Sequence, residues 1–179
     1  MKKLQFLKEL ESNIKHIDIN KIEKICKLFL KLGKNNKIIL AGNGASASIS
    51  SHVAIDLTKA AKIRAINFNE ANLLTCFSND YGYENWLTKA LEFYSVPGDI
   101  LVLISSSGNS PNIVKAAKMS KKLKIKLITL SGFSNKNRLI KKGFINFHVP
   151  SINYNVIENT HLAILLQIVE KIINLRKYK

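Results

Sequence analysis

Leu40-Ala41-Gly42-Asn43-Gly44-Ala45-Ser46-Ala47-Ser48 follows a short apolar run, and so does Ile104-Ser105-Ser106-Ser107-Gly108-Asn109-Ser110. Each segment also precedes a helix-compatible stretch, so each reads as a strand emptying into a Gly/Ser/Asn loop at a helix N-terminus. Such a loop is built to hold an anion. Glycine lets the backbone approach closely, exposed N–H groups and the positive end of the helix dipole attract negative charge, and hydroxyls add donors. Two of them point to one phosphate-bearing ligand.

Outward from these loops the chain alternates helices and strands. Leu4, Leu7, Ile14 and Ile17, then Ile22, Ile25, Leu28, Phe29 and Leu32, recur at helical spacing, broken near Asp18 and ended by Gly33; two N-terminal helices are predicted. Residues 37–40 form a short strand, 45–61 a helix and 64–67 a second strand. Helices over 70–78 and 83–95 flank a loop at Asn79-Asp80-Tyr81-Gly82, and Pro97-Gly98-Asp99 turns into 100–104, the most apolar strand. A helix over 110–122, a strand over 126–130, a loop at Ser131-Gly132, a short helix near 135–141, a strand over 144–149 and a long helix over 155–175 follow. Strands that read as continuous apolar runs between helices mean a parallel sheet covered on both faces. The expected fold is α/β: a three-layer sandwich with a mostly parallel open sheet of flavodoxin-like topology, one domain over 1–179 with helices over 1–33 added. In such sheets the ligand lies beyond the carboxyl ends of the strands, so both loops open on one crevice.

Composition narrows the function classes. The 28 Lys and Arg against 12 Asp and Glu give a formal charge of +16, which draws anions. The basic clusters at Lys121-Lys122, Lys141-Lys142 and the tail Arg176-Lys177-Tyr178-Lys179 lack the interleaved aromatics of a single-strand-binding surface. Scattered, solvated lysines are the expected reading, not nucleic-acid binding. No apolar run approaches the roughly 20 residues of a bilayer span, and the charged start Met1-Lys2-Lys3 lacks the apolar core of a secretory signal. A cytoplasmic protein with no membrane partner is expected. Cys26 and Cys76 sit in apolar helical patterns without CxxC spacing, so they read as buried free thiols.

Ser105, Ser106, Ser107 and Ser110 offer four hydroxyls around one glycine, and Pro111 is well placed at a helix start. A cap uses one such residue, so the surplus favours a phosphate cradle over a capped turn. The Gly-Asn-Gly loop matches neither GxGxxG nor GxxxxGK[ST], which speaks against a nucleotide cofactor. His52 and Asp56, four apart, share a helix face and fit acid/base work or half a metal site, with a surface hydrogen bond as the bland alternative. Glu158 and His161, three apart, form a second such pair; His16 and His148 lack a carboxylate at helical spacing. Tyr83 and Trp86 look like packing residues.

At these residues the chain resembles the sugar isomerase (SIS) domain of the phosphoheptose isomerases, which convert sedoheptulose 7-phosphate to D-glycero-D-manno-heptose 7-phosphate for lipopolysaccharide or capsule. The motifs are Gly42-Asn43-Gly44-Ala45-Ser46, His52 with Asp56, Asn79-Asp80-Tyr81-Gly82, residues 105–110, and the last helix with Glu158 and His161. The resemblance implies a homotetramer with sites shared between subunits and helices over 1–33 in assembly. It implies that Ser46, Ser105, Ser106, Ser107 and Ser110 hold the phosphate, with Gly44 in the same loop, and that Asn43 and Asp80 contact the sugar. It further implies a divalent metal, zinc, held by His52, Asp56 and Glu158, with Asp56 moving a proton between C1 and C2 through an enediol. Two positions depart from the family pattern. Leu166 stands where an ungapped reading puts a catalytic and metal-binding histidine, and Asp56 is a methylene shorter than the expected glutamate. Two alternatives follow: a non-catalytic SIS protein that binds a phosphosugar or a protein partner, and an isomerase of another sugar phosphate.

Overall fold

Five short apolar runs form one parallel sheet. In the computed structural model, which describes residues 4–177, these are β1 (Ile38–Ala41), β2 (Ala65–Asn67), β3 (Ile100–Ser105), β4 (Lys126–Ser131) and β5 (Ile145–His148), in the order β2-β1-β3-β4-β5. Residues 1–3, with the basic start of the chain, and Tyr178 and Lys179 of the basic tail lie outside the described residues. Every residue of β1 and β3 is buried, as expected of central strands covered on both faces.

Successive strand residues feed opposite layers because side chains alternate across a sheet. Ile38, Leu40, Ile100, Val102, Ile104, Ile128 and Leu130 face α2 (Ile19–Leu30), α3 (Ala45–Lys59) and α7 (Tyr154–Lys177), meeting Ile22, Phe29, Val53, Leu57, Ile164 and Ile168. Ile39, Ala41, Leu101, Leu103 and Leu127 face α5 (Trp86–Tyr94) and α6 (Pro111–Lys122), meeting Trp86, Leu87, Leu91 and Ile113. Each fully buried aliphatic contributes about 1.5–3 kcal/mol by leaving water. This is the three-layer α/β sandwich expected. α1 (Gln5–Lys15) buries no residue completely and packs along α7.

Asp18 separates the first two helices by capping α2, its carboxylate accepting from the Lys21 N–H at 3.2 Å. Asp99 anchors the start of β3. It is fully buried and accepts from the backbone N–H groups of Lys37 and Val96, both at 2.9 Å, and from Lys37 Nζ at 2.7 Å. Burial alone would raise this carboxyl, but the Lys37 ammonium and the two N–H donors outweigh it and hold it below the usual carboxylate range. The contact ties β1 and β3 at the ends opposite the two Gly/Ser loops.

Three local expectations need correction. The helix expected near 135–141 is a run of turns, because Asn137 Oδ1 accepts the Leu139 and Ile140 N–H groups, both at 3.1 Å, that a helix would give to backbone carbonyls. The loop expected at 79–82 is helical up to Gly82: α4 (Ala71–Tyr81) carries Asn79, Asp80 and Tyr81 in its last turn. Cys76 is exposed on that helix, since α4 buries none of its residues completely. Cys26 is buried as expected, and burial pushes its thiol up to about 11, which makes it unreactive. Among the described residues no helix is long and apolar enough to cross a membrane.

Candidate active site

The strand order puts β1 beside β3 although β2 follows β1 in the chain, so the connections leave in opposite directions at the carboxyl ends of these two strands. That is where an open α/β sheet has its crevice. Helices α3 and α6 both start there. Gly44, at φ +54°, begins α3 in a conformation that suits glycine, and no side chain caps that end. Ser110 precedes Pro111 at the start of α6, but its hydroxyl lies 3.3 Å from Ser105 Oγ instead of capping the helix. Two helix N-termini thus keep free N–H groups at one place.

Between them lies a cavity of about 150 Å³ lined by Asn43, Ser46, Ile104, Ser105, Ser106, Ser107, Ser110, Tyr154 and Glu158. Five of these nine side chains carry hydroxyls on serine. No lysine or arginine lines it, so an anion here is met by backbone dipoles and neutral donors. Ser106 Oγ donates to Glu158 Oε1 at 3.3 Å, which turns the α7 carboxylate toward the serine loop. Asn43 is held by a reciprocal amide pair with the buried Asn112, at 3.0 and 2.9 Å, and its Oδ1 also accepts from Tyr83 Oη at 3.3 Å. A side chain ordered this way presents its remaining N–H in one direction.

The profile of the SIS domain family matches residues 4–132 of this chain. The chain belongs to the SIS family. It is 35% identical over 153 residues to a phosphoheptose isomerase of Akkermansia muciniphila, covering 82% of this chain and 79% of the relative. It is 36% identical over 163 residues to one of Sulfurimonas denitrificans, covering 86% and 83%. Its fold superposes on the phosphoheptose isomerase of Neisseria gonorrhoeae with a TM-score of 0.83 at 26% identity, over 91% of this chain and 90% of the other.

Not all of the residues singled out in this SIS chain come together. His52 and Asp56 pair on the outer face of α3, Nε2 to Oδ2 at 3.1 Å, with 52% and 34% of their side chains exposed; neither lines the cavity. Asp80 is exposed on α4, accepting from Asn79 Nδ2 at 3.0 Å, and is also outside the lining. Within one chain the three residues expected to hold a metal do not form a centre. Among the described residues no three His, Cys, Asp or Glu side chains gather as a metal site, and Leu166 packs half-buried against the core. Within one chain the His52–Asp56 pair offers two donors, whereas protein zinc sites supply three or four.

The pairing of Glu158 with His161 is likewise overturned. Residues three apart on a helix diverge enough that Glu158 reaches the cavity while His161 turns into the protein, fully buried. His161 Nε2 lies 3.2 Å from the Ser131 carbonyl, and its Nδ1 has no partner among the described residues. Burial pushes its pKa down to about 4, against the pull of the Ser131 carbonyl, so the ring is neutral and donates through Nε2. Tyr83, read as a packing residue, is 54% exposed; its contact with Asn43 has no sequence signal, because the two are 40 residues apart. Trp86 does pack, with 1% exposed.

Proposed function

We propose that this SIS protein is an aldose–ketose isomerase that converts sedoheptulose 7-phosphate to D-glycero-D-manno-heptose 7-phosphate, feeding heptose precursors of lipopolysaccharide or capsule. The observation that carries the reading is the serine-lined cavity at two uncapped helix starts, where a phosphate monoester gains hydroxyl and backbone donors. In the assembly, Asp56 would face the open ketose held in a neighbouring copy's cavity, take a proton from C1 and return it to C2 through an enediol while the O1 hydroxyl proton passes to O2, with His52 orienting the carboxylate.

The protein would work as a homo-oligomer, a tetramer in the manner of the family. Leu4 just before α1, Leu7 and Ile14 on it, and Ile55 beside Asp56 are between 42% and 61% exposed, surfaces that a second copy would cover. It would also bring a wall to the His52–Asp56 pair. Sedimentation equilibrium should give four times the chain mass, and a monomer at micromolar concentration would refute the assembly.

Purified protein assayed with sedoheptulose 7-phosphate, with added zinc and with chelator, should turn over. The absence of Leu166-position chemistry favours one competing reading, a phosphosugar-binding regulator. No turnover under any metal condition, together with stabilisation against heat by the phosphosugar, would establish that reading instead.

A further inference from the structure

The segment that fails to become a helix does something else. Asn137 is 4% exposed, and its two sides grip different parts of the site's support. Its Oδ1 accepts from the Leu139 and Ile140 N–H groups, which can only donate, so the amide orientation is set by chemistry. Its Nδ2 then faces Ser131 Oγ at 3.1 Å, the Gly132 carbonyl at 3.2 Å and the Ser134 carbonyl at 2.8 Å.

Both ends of this grip lead to the serine loop. On one side the Gly132 N–H donates to the Ser106 carbonyl at 2.8 Å. On the other, the Leu139 N–H donates to the Gly108 carbonyl at 3.1 Å and the Arg138 N–H to Asn109 Oδ1 at 3.0 Å. Gly108 holds φ +64°, and a Cβ there would overlap the Asn137 side-chain amide. The backbone on either side of Ser107 is therefore hung, through short links, from one buried side chain that does not itself line the cavity.

We propose that Asn137 is a positioning residue for the phosphate cradle, setting where the Ser106, Ser107 and Gly108 backbone stands relative to the start of α6. The inference rests on the reading of the cavity as a phosphate site. A buried asparagine that merely stabilised a turn would need no link to residues 106–109. Its loss would lower stability and leave ligand affinity alone.

Asn137→Asp keeps the shape and Oδ1 but turns the donor into an acceptor facing two carbonyls; Asn137→Ala removes both. The test is titration of each folded variant with inorganic phosphate by calorimetry, alongside KM and kcat for sedoheptulose 7-phosphate. We expect the dissociation constant for phosphate and the KM each to rise about tenfold or more, while kcat per folded chain changes by less than about threefold. Should Asn137→Ala fail to fold, Asn137→Asp carries the comparison. An unchanged phosphate affinity and KM in a variant whose melting temperature has dropped would overturn the proposal. Wild-type protein that binds phosphate without turnover would refute the isomerase reading alone, and the phosphate titration would still decide the role of Asn137.

Discussion

Asp56→Asn is expected to lower kcat on sedoheptulose 7-phosphate by about 10²–10⁴-fold, the usual contribution of a positioned general base. In the proposed reaction the Asp56 carboxylate takes the proton from carbon and hands it back, while His52 orients it. The amide keeps its size and can still accept from His52 Nε2, now 3.1 Å from Asp56 Oδ2, but it has no basic lone pair. Because the side chain is one-third exposed and outside the cavity lining, the change should cost little stability and leave phosphate affinity alone. Steady-state rates, read beside calorimetric titration with phosphate, separate the two effects. A kcat within threefold of wild type would remove Asp56 from the chemistry.

The second large effect is on stability in acid. His161 titrates at its ordinary 6.5 in the unfolded chain but near 4 when folded. Between those values the unfolded chain binds the extra proton, so stability is complete above pH 6.5 and falls as the pH drops toward 4. Integrated over the window, the loss is about 3 kcal/mol, a large share of the 5–15 kcal/mol of a typical domain. Urea midpoints measured from pH 7 to 4.5 should fall steeply for the wild type and more gently for His161→Gln, which retains a donor for the Ser131 carbonyl. Equal slopes would mean that His161 does not carry the acid sensitivity.

The parts of the fold and site that the sequence disclosed are those governed by local rules. Apolar continuity marked residues 37–40 and 100–104 as buried strands, one residue off the observed ends of Ile38–Ala41 and Ile100–Ser105, and surplus hydroxyls marked Ser105, Ser106, Ser107 and Ser110, which line one cavity. What stayed hidden depends on partners distant in the chain. The pattern at 135–141 suits a helix until Asn137 meets Ser131 and Gly132 and its amide outcompetes helical bonds. His161 lies at the same spacing from Glu158 as a surface pair, and only the position of β4 decides that it is buried. Tyr83 became a site neighbour because α5 carries its preceding loop back over Asn43. Cys76 looked apolar by its neighbours, yet α4 lies too far out to bury it.

The cavity draws one wall from the end of β1 and another from the end of β3, and Ile38 pairs directly with Ile100. All of α3, β2, α4 and α5 lies between those partners. The two loops meet only once that distant pairing has closed, so the cavity exists only after a contact far apart in the chain is made. On the ribosome, the nascent chain stays blind to its phosphosugar until the second half has emerged.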